Sequence, residues 1–385
     1  MNNTALIFGA GKTGRGFAAH LAFLGGYDVI LIDKNRHLVS DLKKADQYDI
    51  QVLDNEEKNC TIKPVEIYHI EDVSWHNEFV ETSLIFTSVF GNNLEELAED
   101  LAIALQKRYT ENPNKVLTII TCENLTNAAG FLKKMVIKNL DEEKEKWLSE
   151  VVGFSESIIF RTCLEASADR SPLTVRAQNF FELPCDANEI KEELHVYGLK
   201  PLKNFSNQLR RKIYTYNCIN AVIAYLGAKK GYSQLYEAGN DAEILATARK
   251  AASETCLAQV AEFGFDTKEQ EEWMNGAFAK FADKNIPDPI ERNGADPERK
   301  LGRDDRLIGP ALLALKHHIY PEGLLAGIMA CFDYSDPNKN FKIADLIFQK
   351  GPDLVLKEIC GLSKEEELFM LIKEQLIKSN MNDKK

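Results

Sequence analysis

The sequence predicts an α/β protein in which a parallel-sheet domain precedes a mainly α-helical domain. Three observations predict it. Short apolar runs alternate with helical periodicity over roughly the first 150 residues. A glycine-rich hexamer joins the first run to the first helix, and from about Asn204 onward the pattern is helical almost throughout. The length of 385 residues also calls for two domains, since single cores stop growing at about 250–300 residues.

Ala5-Leu6-Ile7-Phe8 is an apolar run that ends in glycine, and a helical pattern follows over residues 14–24. Asp28-Val29-Ile30-Leu31-Ile32-Asp33 predicts a second buried strand, with a helix after Arg36. Leu84-Ile85-Phe86-Thr87 and Val116-Leu117-Thr118-Ile119-Ile120 predict further strands, each leading into a helical stretch. Elements in this order build a parallel sheet covered on both faces. Residues 151–185 are mixed, with β-rich pieces at 151–154 and 173–181. Beyond them Gly231, Gly264, Pro287, Pro289, Pro310, Pro321, Pro337 and Pro352 punctuate the helices. The expected domains are residues 1–200, including the mixed extension, and 201–385.

Composition narrows the function. A net charge of -12 and a pI near 5.3 argue against general affinity for nucleic acid or anionic lipid. No stretch approaches the roughly 20 apolar residues of a membrane span. Met1-Asn2-Asn3-Thr4 leads straight into a strand, so no signal peptide is expected. Eight cysteines without a CxxC pair read as reduced, mostly buried thiols of a cytoplasmic protein. Seven histidines show no metal-ligand spacing, and adjacent His317 and His318 point too far apart to share an ion. No metal site is expected. Trp75, Trp147 and Trp273 are isolated and read as packing residues.

Gly9-Ala10-Gly11-Lys12-Thr13-Gly14 matches GxGxxG, directly after the first strand and opening the first helix. In a Rossmann-type domain the first glycine permits the tight turn, the second lets the backbone approach a pyrophosphate, and the third allows close helix–strand contact. The helix start adds free N–H groups and partial positive charge. Asp33 ends the second strand, 19 residues after Gly14. A carboxylate there accepts hydrogen bonds from ribose hydroxyls and repels a 2′-phosphate, which favours NAD over NADP. Lys34 and Arg36 close behind weaken that preference. Thr87 and Ser88, where the third run ends, are assigned to the same cofactor site. The competing reading is a glycine turn that binds no dinucleotide.

Arg211-Lys212-Ile213-Tyr214-Thr215-Tyr216-Asn217-Cys218-Ile219-Asn220 lies in the first long helix of the second half. Apolar residues continue along it through Leu226, so Lys212, Asn217 and Asn220 need partners. Asn217 and Asn220 share a face. In a regular helix Lys212 lies about 7.5 Å along the axis from Asn217. A lysine whose pKa burial has lowered can take a hydroxyl proton while hydride leaves the same carbon, and amide donors can steady the alkoxide. By spacing alone, a solvated lysine beside two structural asparagines is the simpler reading.

Together with Arg299-Lys300-Leu301 and Asp305-Arg306-Leu307-Ile308, these motifs resemble the polyol-specific long-chain dehydrogenase/reductase family. The resemblance covers nearly the whole chain, through Phe8-Gly9-Ala10-Gly11, Gly14-Arg15-Gly16-Phe17, Cys122-Glu123-Asn124, Val152-Gly153-Phe154 and Ala224-Tyr225-Leu226-Gly227. It implies Lys212 as general acid/base, with Asn217 and Asn124 as donors to the reacting oxygen. Two positions depart from the family pattern: Asn220 stands in place of a histidine, and Phe160, before Arg161, in place of an aspartate. Asparagine can hydrogen-bond a substrate hydroxyl but cannot relay a proton.

Arg299, Lys300, Arg303 and Arg306 fall within eight residues of an acidic chain. They read either as a pocket for a substrate phosphate or carboxylate, or as a solvated segment paired with Asp296, Glu298, Asp304 and Asp305. The function implied is a metal-independent, NAD-dependent oxidoreductase interconverting a sugar alcohol phosphate and a ketose phosphate. A uronate reductase and a catalytically impaired NAD-binding relative are the alternatives. A monomer and a small homo-oligomer both fit.

Overall fold

The computed structural model describes residues 3–125, 127–337 and 341–382. It divides into two compact units, Met1–Phe205 and Ser206–Lys385.

The first unit is built on six parallel strands: β1 (Thr4–Phe8), β2 (Asp28–Asp33), β3 (Glu66–His69), β4 (Leu84–Thr87), β5 (Leu117–Thr121) and β6 (Val152–Glu156). Their order is β3-β2-β1-β4-β5-β6, with every pairing parallel. β1, β2, β4 and β5 are almost wholly buried, as apolar runs covered on both faces should be. The order reverses at β1 and β4, so the crevice beyond their C-terminal ends is where a ligand of such a sheet binds. The piece expected as a mixed extension at 151–154 belongs instead to the main sheet, as strand β6. It follows helix α6 (Glu142–Val151) and pairs with β5, continuing the crossover rule.

One helix layer is α3 (Trp75–Glu81), α4 (Leu94–Glu111), α5 (Ala128–Ile137) and α6, with α1 (His20–Leu24) and α2 (Arg36–Ala45) packed elsewhere on the sheet. Trp75 is fully buried in that layer, donating its indole N–H to the Ile70 carbonyl at 2.8 Å. Arg108, also fully buried, points from α4 at five backbone carbonyls. Its Nη1 donates to Phe79 (2.6 Å), Val80 (3.1 Å) and Thr82 (2.8 Å), and its Nη2 to Lys115 (2.9 Å) and Val116 (3.0 Å). A smaller four-stranded sheet of Cys60–Ile62, Tyr48–Val52, Val175–Ala177 and Cys163–Leu164 and a parallel pair, Leu183–Asp186 with Leu199–Leu202, belong to the same unit. The Tyr48–Val52 strand escaped the sequence reading although Tyr48, Ile50 and Val52 alternate with polar residues.

The second unit is helical. Helix α7 (Phe205–Lys212) runs through a π-turn at Ile213–Asn217 into α8 (Cys218–Lys229), most of whose residues are buried. Around α8 pack the 22-residue helix Ala242–Phe263 and helices Ile290–Gly294 and Glu322–Asp333. Glu254, buried in the long helix, accepts from the Gly323 and Leu324 amides (2.8 and 3.0 Å), satisfying the start of the Glu322–Asp333 helix. Among the described residues no helix is long and apolar enough to cross a membrane.

Candidate functional site

In the first unit, Phe8 and Thr87 end neighbouring strands, and the loops after them face one cleft of about 220 Å³. Its lining includes Gly9, Gly11, Asp33, Asn35, Val89 and Phe90. The three glycines differ in what surrounds them. Gly9 has φ +93°, and a Cβ there would sit 2.2 Å from the Ser88 carbonyl oxygen. A Cβ at Gly14 would sit 1.8 Å from the Gly9 carbonyl oxygen, so packing closes both positions to any side chain. At Gly11 a Cβ would meet nothing within 4 Å. Open space over that backbone is what a pyrophosphate requires, and the residues present fit a dinucleotide.

Asp33 holds the loop from β2. One carboxylate oxygen accepts from the Ala10 amide at 2.6 Å and the other from the Asn35 amide at 2.7 Å. The two cations behind it are spent on acids: Lys34 Nζ donates to Glu96 (2.8 Å) and Asn93 (2.9 Å), and Arg36 pairs with Glu71. They therefore offer less to a 2′-phosphate than the sequence suggests. Lys12 points outward to Glu165 at 2.6 Å, and Thr13 precedes a π-turn at Gly14–Ala19 that opens the first helix. The sequence reading missed Arg15, whose Nε donates to the Ala10 carbonyl at 2.7 Å. The signal was there: an arginine between two glycines in an otherwise apolar helix.

Thr87 ends its strand and Ser88 follows it into the cleft lining, and their neighbourhood exposes a second omission. Thr87 Oγ1 donates to Glu123 Oε2 at 2.9 Å, the Val89 amide donates to Glu123 Oε1 at 3.1 Å, and the Ser88 amide donates to the Phe8 carbonyl at 2.7 Å. Glu123 is 6% exposed, and burial pushes its pKa up to about 7. A carboxyl whose folded pKa is raised makes the fold less stable as pH climbs from its ordinary value through that raised value. Glu123→Gln, which keeps an acceptor but no charge, is therefore expected to match wild type at pH 4. At pH 8 it should be more stable by on the order of 2 kcal/mol in denaturant melts. Equal stability at both pH values would refute this account of the loop. Asn124, the next residue, is exposed.

Phe160 packs edge-on against Phe180 (centroids 5.7 Å apart). Arg161 stays buried, its Nε donating to the Gln178 carbonyl at 2.7 Å and its Nη1 3.0 Å from His20 Nδ1. Burial first, then the Arg161 charge, lowers the His20 pKa to about 3.

In the second unit the π-turn corrects the geometry expected for the lysine helix. In an α-helix, residues five apart point about 140° away from each other. The i→i+5 repeat of a π-turn stacks such residues instead. Ile213–Asn217 takes that form, which by backbone geometry brings Lys212 and Asn217 nearer to one face of the helix than five residues of α-helix would. The widened turn is held from outside: Thr255 Oγ1 donates to the Tyr214 carbonyl (3.1 Å), while Gln259 and Gln270 amides donate to Thr215 Oγ1 (3.1 and 2.9 Å). Arg211 anchors the preceding turn through Gln270 (2.7 Å) and over the Trp273 ring (4.3 Å).

Lys212 is partly buried, and its pKa falls to about 7. Desolvation is the largest cause, followed by the positive charges of Arg306 and Lys280. Asn220 Nδ2 donates to Asn293 Oδ1 at 3.0 Å, so the position where the family pattern has histidine is tied to a neighbouring helix. Lys300 is 4% exposed, donates to the Asn293 carbonyl, and is likewise lowered to about 7, by desolvation and then Arg306. Arg306 pairs with Asp305 at 2.7 Å, and Arg299 with Asp305 and Asp296 at 3.2 and 3.1 Å. The structure thus gathers Lys212, Arg299, Lys300 and Arg306 into one electrostatic neighbourhood. Arg303 turns instead to Glu366 (2.6 Å) and the Gly361 carbonyl (2.9 Å).

Residues 3–197 match the mannitol dehydrogenase Rossmann domain and residues 204–376 the mannitol dehydrogenase C-terminal domain. The mannitol-1-phosphate 5-dehydrogenase of Bacillus velezensis is 32% identical over 381 residues, which is 97% of this chain and 99% of that protein. Its Bacillus subtilis counterpart is 32% identical over 375 residues, with the same coverage of each. A crystal structure of D-sorbitol dehydrogenase in substrate-free form is similar with a TM-score of 0.77 at 14% identity, covering 97% of this chain and 92% of that one. The Pseudomonas fluorescens mannitol 2-dehydrogenase ternary complex with NAD and D-mannitol is similar with a TM-score of 0.70, also at 14% identity, covering 88% and 80%. These two structures show the likeness of fold.

Proposed function

The chain belongs to the mannitol dehydrogenase family, and on that premise we propose that it is an NAD-dependent dehydrogenase interconverting mannitol 1-phosphate and fructose 6-phosphate. One observation carries the phosphate. In a chain of net charge -12, Lys212, Arg299, Lys300 and Arg306 share one neighbourhood, in which Arg299 and Arg306 pair with Asp296 and Asp305. Such a local positive excess favours an anionic substrate. End-to-end similarity to mannitol-1-phosphate 5-dehydrogenases supports the same choice. The open backbone at Gly11, the Asp33 carboxylate and the acid-bound Lys34 and Arg36 support NAD over NADP.

NADH, held by the loop of Gly9 and Gly11 and by Asp33, would supply the hydride. Lys212, as ammonium, gives its proton to the carbonyl oxygen and is left as the neutral amine; in the oxidising direction it takes the hydroxyl proton back. Asn217, brought nearer to the same face by the π-turn, donates an amide N–H to that oxygen while negative charge develops there. Asn220, held by Asn293, is assigned to a substrate hydroxyl. Arg299, Lys300 and Arg306 attract the phosphate.

The test follows NADH absorbance with fructose 6-phosphate, fructose, tagaturonate and fructuronate, each repeated with NADPH. Turnover is expected with fructose 6-phosphate and NADH, at least about tenfold faster in kcat/KM than with fructose, the difference one charge-assisted contact makes. Preference for a uronate would replace the phosphate assignment. Binding of NADH without turnover of any of the four would favour a catalytically impaired relative.

A further inference from the structure

Phe90 combines three properties that are rarely found together. It is a non-glycine residue at φ +67° and ψ 147°, a backbone conformation that glycine reaches freely and a β-carbon opposes. It is 78% exposed. And it lines the mouth of the cleft that Gly9, Gly11 and Asp33 form. An exposed phenylalanine contributes little to folding, and the strained backbone under it works against folding.

The strain is held in place from both sides. Ahead of Phe90, the Ser88 amide is bonded to Phe8 and the Val89 amide to buried Glu123. Behind it, Asn93 donates its backbone N–H to the Phe90 carbonyl at 3.0 Å and its side-chain amide to the Val89 carbonyl. Lys34, from the loop after β2, bonds Asn93 and Glu96 in turn. The chain around Phe90 is therefore fixed across the cleft from Asp33. Conformations of this kind persist where the surroundings over-determine them, and they concentrate at ligand clamps.

We propose that the Phe90 ring stacks on the purine of the bound dinucleotide and closes the adenosine end of the cleft. This rests on the dinucleotide reading above. Asp33 marks where the adenosine ribose lies. Ile70, Val89 and Leu97 give the same cleft apolar walls for a flat base, and Phe90 supplies the aromatic face. The rim acids Glu96 and Asp100 accept from an exocyclic amine and repel further phosphate, so adenine suits the site better than a second anionic group.

Calorimetric titration of NADH, and separately of ADP-ribose, into wild type, Phe90→Ala, Phe90→Gly and Phe90→Trp tests this on the full chain. Base–aromatic stacking sets the expected loss at about 5- to 100-fold in Kd for the alanine and glycine variants, equal for the two ligands because both carry the adenosine. Phe90→Trp is expected to bind within about threefold of wild type, because it keeps an aromatic face. Without ligand, Phe90→Gly should melt above Phe90→Ala, since glycine relieves the strain that alanine retains. Wild-type affinity of Phe90→Ala for ADP-ribose would overturn the stacking role and leave the dinucleotide reading standing. Failure of the wild-type chain to take up either ligand would overturn both.

Discussion

Replacing Lys212 by methionine should lower kcat/KM for fructose 6-phosphate reduction by about 10²- to 10⁴-fold, the range general acid–base groups supply. NADH should bind as before. The larger consequence is in the pH profile. Reduction needs the ammonium form, so its rate should fall as pH rises through about 7; oxidation needs the neutral amine, so its rate should rise through the same value. Opposite limbs sharing one midpoint identify a single group used in both directions. Lys212→Arg should be as inactive as the methionine variant, because a guanidinium does not give up its proton near neutrality. Turnover above about a tenth of wild type in either variant would remove Lys212 from the proton step.

Stability should move the other way. A lysine whose folded pKa has dropped from 10.5 to about 7 weighs against folding fully below pH 7, and progressively less as pH rises toward 10.5. Lys212→Met is therefore expected to melt no lower than wild type at pH 6, with the difference fading at alkaline pH. Loss of activity with undiminished stability separates a working group from a packing one.

Arg108→Met is expected to do the reverse, destabilising the fold while touching no substrate. Five carbonyls from three stretches of chain converge on one guanidinium: the end of α3, the residues before β4 and those before β5. Methionine fills much of the volume but offers no donor, which strands those oxygens in a dry interior. Breaking such a buried network costs about 3–5 kcal/mol. For a unit of this size that lowers Tm by roughly 10 °C. Lysine should not rescue it, since an ammonium has fewer donors and lacks the planar fork. A melt within 2 °C of wild type would show that water reaches these carbonyls.

What the sequence disclosed and what it hid follow from range. The β1–glycine–helix unit, Asp33 and the strand ending at Thr87 were legible because their signals are local: apolar runs, glycine spacing and an acid at a fixed offset. Glu123 and Arg108 were not, and Arg15 only through its place between two glycines, because their roles depend on partners between 5 and 158 residues away. The three-residue strand Cys60–Ile62 is too short to carry periodicity. The π-turn leaves no mark in composition, since Ile213–Asn217 reads as ordinary helix, yet it sets how Lys212 faces relative to Asn217. The basic stretch was legible as a stretch only; folding separates Arg303, which serves Glu366, from its three neighbours.

That extra turn also says which changes the lysine helix can absorb. Its effect is one of phase: the wider turn takes up one extra residue, so the helix upstream keeps its face relative to the α8 core, whichever side chains occupy the turn. Exchanging one apolar residue for another within 213–217 preserves the count and hence the aim of the lysine. Removing a single residue gives an even winding in which four ordinary steps replace five narrower ones, so Lys212 keeps nearly its present aim, while the Thr255, Gln259 and Gln270 contacts lose the widened turn they serve.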